Sequence, residues 1–501
     1  MFIAVSLATR WLSLFVHVID VDEAAHIAGS WEWLRGGLLY TDFVDNKPPL
    51  LYVYYALAQA ALGRSLIAVH LVTAAVVVPL TALAVAAFYH YRPRGVTAAI
   101  VFLVYSSAFL AHDMLASNAE VLMMLPGAWA LVVIGDEQRA RSLGRLVLAG
   151  ALVGVAFLFK YQIALWLPGL AGLPAWMALR QRGARHAAGS AAAVIAGFLL
   201  PLLAVWAWFA TRGGAEALVH WTIRNNLAYT ANPIAVSEAI ERAVSYFVPF
   251  LLVTTPLWLA SGRLPSSDEP SYRRVLISSV VVLSLPAALL GFRFYPHYFI
   301  QLYVPLALAA APWLDAQWRP AMTRAGRAVT AWTIAMVVGF TIANAALYFG
   351  GLRVYRELDP AYQQVAGRLR ADRCASQATM FVWGYAPPFY YYADMPAASR
   401  FVVMAQSRLT PYVSGNRQSL RGGFDAGQVV PRNWDWLMDD LERNRATYII
   451  DTAPAGIYGW NQFPIDDYPR LRRYLDANYE LLDVVRRVRI FRRRGCDMPG
   501  T

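Results

Sequence analysis

Apolar runs near the thickness of a bilayer's hydrocarbon core recur along most of this chain, and no other feature narrows its fold as much. A helix needs about 20 apolar residues to cross that core. Runs of this order read at 1–19, 66–89, 95–111, 118–134, 145–159, 162–179, 188–210, 246–261, 275–291, 298–314 and 328–349. The 501 residues are 58% hydrophobic and only 15% charged, against about 25% charged in soluble domains. These features predict a polytopic α-helical membrane protein with about 11 transmembrane helices.

The formal net charge of +12 would suit a nucleic-acid partner if it were spread over one face. It is instead gathered in short connections: "YRPRG" (91–95), "DEQRARSLGR" (136–145), "RQRGARH" (180–186), "GRLPSSDEPSYRR" (262–274) and "DAQWRPAMTRAGR" (315–327). Arginine and lysine mark cytoplasmic loops, so these connections are expected in the cytoplasm. Residues 20–65, 111–118, 160–161, 211–245 and 292–297 then face outward. An odd number of spans puts the C-terminus outside as well. The N-terminus carries no basic segment and no A-x-A site, so no removable signal peptide is expected. Arg10 interrupts the first run; a side chain that snorkels towards the cytoplasm and a start of the chain further upstream are both open readings, the first preferred.

From about 350 the composition turns charged and mixed. "TMFVWGY" (379–385), "RFVV" (400–403), "ATYIID" (446–451) and "LLDVVRRVRIF" (481–491) read as strands. "AYQQVAGRLRAD", "WDWLMDDLERN" and "YPRLRRYLDANY" read as amphipathic helices. The expected organisation is a transmembrane domain over 1–350 and an extracytoplasmic α/β domain over 351–501. Cys374 and Cys496, the two cysteines, both fall in the second; a disulfide and two free thiols are both open readings.

The outward connections hold the polar residues that a membrane protein does not keep without reason. In "DVDEAAH", Asp22 and His26 are four apart and share a helix face, with Glu23 beside them. Asp20 reads as the solvated end of that helix. "TDFVDNKPPLLY" places Asp45 and Lys47 before Pro48-Pro49, and proline favours a helix start. Lys47 is therefore expected at the lip of the second transmembrane helix. Trp31, Trp33 and Tyr40 suit the headgroup level. "AHDMLASNAEVLMMLP" brings His112, Asp113, Asn118 and Glu120 to the same surface. Lys160 stands at a tight outer turn. "GFRFYPHYFIQLYVP" adds Arg293, Tyr295, His297, Tyr298 and Gln301, and "VHWTIRNNLAYTAN" adds His220, Arg224, Asn225 and Tyr229. Carboxylates can accept a proton, and lysine and arginine can hold an anion. Together they suit transfer of a group from a phosphate-linked donor embedded in the membrane. No Walker loop, G-x-S-x-G or H-E-x-x-H pattern occurs.

Through "DEAAH", "DFVDNKPPL", "NAEVLMMLP", "LFKYQ" and "RFYPHYFIQLYVP" the sequence resembles the GT-C glycosyltransferases. Within them it is similar to the bacterial branch of protein O-mannosyltransferases and lipid A aminoarabinose transferases. The resemblance covers about residues 1–350 and touches the C-terminal part only through "FVWGYAPPFYYY". It implies an inverting transfer of one sugar from a polyprenyl phosphate, such as undecaprenyl phosphate, to a lipid, polysaccharide or protein of the cell envelope. It implies an inner-membrane location in a bacterium, with the site outside.

Carried over residue by residue, Asp22 is the catalytic base and Glu23 its neighbour in the acidic pair. Lys47, Lys160, Arg293 and His297 are expected to hold the donor phosphate. His26, Asp45, Asp113, Glu120 and Tyr295 are expected to contact substrate. Relatives often carry an acidic residue just before the lysine; Asn46 stands there. That departure favours transfer without a divalent metal, and no other cofactor is implied. The competing classes are a ligase for a larger lipid-linked glycan and a lipid or sugar transporter. Transporters place ionisable groups at mid-membrane and show paired repeats, which this sequence lacks.

Overall fold

The first apolar run forms no single long helix: α1 (Phe2–Thr9), about 12 Å long, breaks at Arg10 into a 3-10 turn at Trp11–Leu14. The computed structural model describes all residues except 110, 231–233, 319–321, 350–352, 373, 375–377, 413–426, 428 and 497–501, and leaves aside the side chains at 111–112, 229–230, 347–349 and 353–359. Two helices of the first long connection follow, α2 (Val21–Leu34) and α3 (Pro49–Leu62). The bundle then runs through α4 (Leu66–Phe88), the shorter apolar helices α5 (Pro93–Tyr105), α6 (Ala119–Val133) and α7 (Leu143–Phe157), and α8 (Tyr161–Arg182). It continues with α9 (Ala184–Ala210), α10 (Val236–Ser266), α11 (Ser271–Phe292), α12 (Pro296–Gln317) and α13 (Arg324–Ala346). Among the described residues, seven of these helices are long and apolar enough to cross a membrane.

Each apolar run from 66 onward thus has its helix, and the run at 1–19 is the exception. Arg10 gives the reason. It is 1% exposed, and a buried guanidinium must be paired. Its Nη1 donates to the Met114 carbonyl at 2.8 Å, and its Nη2 to those of Leu115 at 2.7 Å and Ala116 at 3.4 Å. The side chain turns into the protein and caps the turn at 114–116 instead of snorkelling to a membrane surface. A second correction concerns Lys47. The helix it precedes is α3, which ends at Gly63 before α4 begins. Lys47 therefore stands at the lip of a helix within the first connection, not of the next membrane span.

Helices α7 and α9 pack with their backbones almost touching. A Cβ added at Gly150 or Gly154 would run into the α9 backbone at Val194 or Phe198, and one at Gly197 into the carbonyl of Val147. Without a hydrophobic drive between helices in lipid, such close approach of small residues supplies the packing.

The C-terminal part contains α14 (Arg353–Arg370), α15 (Pro388–Ala393), α16 (Pro431–Asn444) and α17 (Pro469–Asn478). Its four strands are β1 (Met380–Trp383), β2 (Tyr448–Asp451), β3 (Tyr479–Val485) and β4 (Val488–Arg493), in the order β1-β2-β4-β3. β1 and β2 are parallel; β4 runs antiparallel to both β2 and β3. The run at 481–491 is a hairpin, not one strand, because Arg486 and Arg487 turn the chain at φ 51° and 65°. The run at 400–403 is not a strand. Arg400 grips Asp440 with Nε at 2.9 Å and Nη2 at 2.8 Å, and its carbonyl accepts from Val44 N at 3.0 Å. Its backbone is thus committed to the first outward connection. Cys374 and Cys496 are joined in a disulfide.

The boundary expected near 350 lies outside the described residues. Beyond it, the C-terminal part is not a free appendage. Tyr40, Phe43, Val44 and Tyr52 share one apolar core with Phe381, Trp383, Phe389 and Tyr448.

Replacing Gly197 by leucine is expected to force α7 and α9 apart, at about 1–3 kcal/mol for overpacking a close interface. The melting temperature of the full chain in detergent should fall. Gly172→Leu, which adds a side chain where no atom lies within 4 Å, should leave it nearly unchanged.

Candidate functional site

The start of α2 is fixed by a capping box. The Asp20 carboxylate accepts from Asp22 N at 2.9 Å, and Glu23 reaches back to the Asp20 N–H at 3.3 Å. Both acids satisfy helix-end donors that have no partner within the helix. The second oxygen of Glu23 accepts from Ser117 N at 2.6 Å and meets His70 Nε2 at 2.9 Å, while His70 Nδ1 donates to the Ser13 carbonyl at 2.8 Å. Glu23 therefore ties α2 to α4 and to the second outward turn, completely out of solvent.

Asp22, one residue earlier, points the other way. Its Oδ2 is 3.4 Å from Lys47 Nζ, and its Oδ1 accepts from the Tyr385 hydroxyl at 2.5 Å. Burial works against charge on Asp22, but the opposing effects, the Lys47 ammonium the largest and the Tyr385 hydrogen bond among them, outweigh it and hold its carboxyl below the usual range. Burial and the Asp22 charge keep Tyr385 protonated far above neutrality, so it is the donor. Lys47 is placed by its backbone. Its carbonyl accepts from Tyr40 OH at 2.7 Å, and that of Asn46 accepts from Asn226 Nδ2 at 2.7 Å and Tyr161 OH at 3.3 Å. Pro49 then opens α3 at the position where proline is tolerated best.

These groups face a cavity of about 1200 Å³. All five connections expected to face outward reach it, through Asp20, Asp22 and Lys47; Asp113; Lys160; Asn226 and Arg242; and Arg293, Tyr295 and His297. Tyr385, Gln406, Tyr412 and Tyr458 close it from the C-terminal side. One wall is apolar, and its Leu203, Trp206, Leu290 and Phe292 are about half exposed or more on the bundle's flank. Lys160 Nζ pairs with Glu120 at 2.8 Å, and His297 Nδ1 meets Asp113 Oδ1 at 2.6 Å with its ring stacked on Tyr295. Asp20, Asp113 and His297 each offer a ligand atom, all within 4.8 Å of one another. Such a set of two oxygens and one imidazole nitrogen would fit a divalent cation.

Of the residues expected from the sequence, Asp22, Lys47, Asp113, Lys160, Arg293, Tyr295 and His297 line the cavity. Glu23, His26, Asp45 and Glu120 stand behind it. His26 is 2% exposed between the rings of Tyr52 and Tyr55, because α2 turns its His26 side towards α3. Burial drives its imidazole down to about 3, so it stays neutral. Asp45, whose carboxyl burial pushes up, accepts from Tyr52 OH at 2.5 Å and from Asn46 N at 2.6 Å; it braces the Lys47 loop. His220 packs on Trp221 and Trp436, away from the cavity.

Several lining residues had no site role from the sequence, Asp20, Arg242 and Tyr385 among them. Asp20 is half-buried beside Asp113 and His297, not a solvated helix end; burial, then the charges of Asp22 and Asp113, push its carboxyl up to about 7. Arg242 pairs with Glu238 at 2.6 Å, four residues earlier, a spacing that reads as an ordinary helix surface. Tyr385 lies in the quoted "FVWGYAPPFYYY", but nothing in that stretch says which outward residue it meets.

The architecture of apolar spans, a polar cavity at one end of the bundle and a small C-terminal sheet is the GT-C fold of a multi-pass membrane protein. It is similar over 100% of this chain and 98% of the other to the crystal structure of ArnT from Cupriavidus metallidurans bound to undecaprenyl phosphate, with a TM-score of 0.62 at 14% identity. The apo state of that protein matches at 0.61. The archaeal oligosaccharyltransferase AglB from Archaeoglobus fulgidus, in complex with an inhibitory peptide and a dolichol-phosphate, matches at 0.50 and 12% identity, over 99% of this chain and 74% of that one. No protein-family model and no curated protein matches the sequence.

A carboxyl raised by folding favours the protonated native state, so it weakens stability as pH climbs from the unfolded value, about 3.9, through about 7. Asp20→Asn keeps a good helix cap and removes that penalty. Thermal unfolding should show the variant gaining on the native chain more at about pH 8 than at about pH 4.

Proposed function

We propose that the chain is an inverting glycosyltransferase that moves one sugar from a polyprenyl phosphate to an extracytoplasmic acceptor of the bacterial cell envelope. The observation that carries this reading is the Asp22 carboxylate, held between Lys47 and Tyr385 at a cavity that also receives Lys160, Arg242 and Arg293. The acceptor hydroxyl gives its proton to Asp22 as its oxygen attacks the anomeric carbon. The bond from that carbon to the phosphate oxygen breaks on the opposite face, and polyprenyl phosphate leaves. Lys47 and Arg293 balance the charge that grows on the departing phosphate. The apolar wall suits the prenyl chain, and the structure shared with ArnT, which binds undecaprenyl phosphate, supports that donor class.

Asp22 remains ionised at neutral pH and is ready to accept, while Tyr385 and Lys47 fix its direction. Asp20, Asp113 and His297 are the residues that would hold a divalent cation, which would act as a Lewis acid on the phosphate. Glu23 serves by position. It anchors the helix turn that carries Asp22 and touches neither cavity nor substrate. Transfer of a single sugar is the first reading, and of a larger lipid-linked glycan the second, since the oligosaccharyltransferase shares the fold.

Purified protein incubated with a panel of polyprenyl-phosphate sugars should consume one of them. Asp22→Asn should then lower the transfer rate about 100- to 10,000-fold, as for loss of a general base, with donor binding retained. Unchanged transfer would remove Asp22 from the role. Tyr385→Phe, which deletes one hydrogen bond to a charged group, should cost about 10-fold in kcat and leave the donor KM unchanged.

A further inference from the structure

A second cavity, of about 400 Å³, lies between the ends of α7, α8 and α9. Each of these helices reaches the first cavity with its other end, through Phe157, Gln162 and Trp206. Along α9, Gly189 of the second cavity and Trp206 of the first are separated by about 25 Å of helix, close to the thickness of a hydrocarbon core, about 30 Å. The second cavity therefore sits at the headgroup level of the opposite leaflet, the side marked by the arginine-bearing connections.

Its composition is two-sided. Leu143, Pro174, Met177 and Ala178 make an apolar wall, and Gly189 leaves space that no atom within 4 Å fills. Arg141, Arg182, Arg185 and His186 form the rim. Other arginines nearby are neutralised by acids: Arg94 by Asp268 and Glu269, Arg139 by Asp136, Arg273 by Glu269, and Arg141 by Glu137. Among the described residues, Arg182 and Arg185 have no carboxylate within ion-pair distance and stay exposed.

Two unneutralised guanidinium forks above an apolar wall match a phosphate diester that carries acyl chains. We propose that this groove binds the headgroup of an anionic phospholipid from the leaflet opposite the Asp22 cavity. A soluble phosphate would use the rim but gain nothing from the wall. A zwitterionic lipid would use the wall, but its ammonium would oppose the rim. The assignment is independent of the sugar-transfer reading.

The test is native mass spectrometry of the full chain released from micelles containing phosphatidylglycerol or phosphatidylcholine. Phosphatidylglycerol should be retained on the native chain in preference to phosphatidylcholine. An arginine near an anionic surface contributes about fivefold in affinity, so Arg182→Gln with Arg185→Gln should lower retention about 25-fold. Both residues are exposed, so folding should survive the change. Gly189→Leu, which fills the groove and keeps both charges, should also reduce retention. Equal retention of the two lipids overturns the proposal. So does full retention by the double variant, or loss of bound lipid to millimolar inorganic phosphate, which would make the groove a soluble-anion site.

Discussion

The enclosed carboxylate of Glu23 is the interaction on which the geometry around the Asp22 cavity depends. With no water to fall back on, its oxygens are satisfied by the backbone of Ile19 and Asp20, by Ser117 N and by His70. Those partners belong to three separate stretches of chain. Arg10 ties into the same region by holding the carbonyls of Met114, Leu115 and Ala116. Removing one partner of such a buried set leaves uncompensated polar groups, which is far more costly than the pair is worth. The first turn of α2 is consequently rigid, and Asp22 inherits that rigidity.

The cavity shows how charges are kept at a membrane surface without cancelling one another's use. Lys160 has Glu120 and Arg242 has Glu238, each closer than 3 Å. Lys47 and Asp22 are looser, at 3.4 Å. The tightly paired cations are anchored by their carboxylates; in the proposed reaction the looser pair is the one that exchanges partners, Lys47 for a phosphate and Asp22 for a hydroxyl. Tyr385 adds a donor that only the C-terminal part can supply, so the two halves of the chain share one site as well as one apolar core.

Much of this was legible before any coordinates. The spans from residue 66 onward follow from runs of apolar residues, since lipid offers no partner for an unbonded backbone. Arginine placement put five alternate connections on one side, and those five do meet at one cavity; Asp22 with Lys47 follows from the resemblance carried by "DEAAH" and "NKPPL". The failures have specific causes. Asp22 and Glu23 are neighbours in sequence, but a 100° step around the helix sends one to the cavity and the other into the protein. His26 shares a helix face with Asp22, yet the rings of Tyr52 and Tyr55 take that lower part of the face. The "RFVV" stretch has strand composition, and Arg400 spends its backbone elsewhere.

The sequence by itself therefore determined the solvent. Its apolar periods demand lipid, its arginines set the connections apart, and its few acids and lysines could persist at such a surface only with partners. Tertiary structure alone decided which partners those are. Asp20 became a cavity residue, Glu23 an anchor, and Tyr385 the companion of Asp22 across 363 positions of chain. Hydrogen bonds and ion pairs act over a few ångströms. Proximity of that kind is made by packing, and no local pattern of residues encodes it.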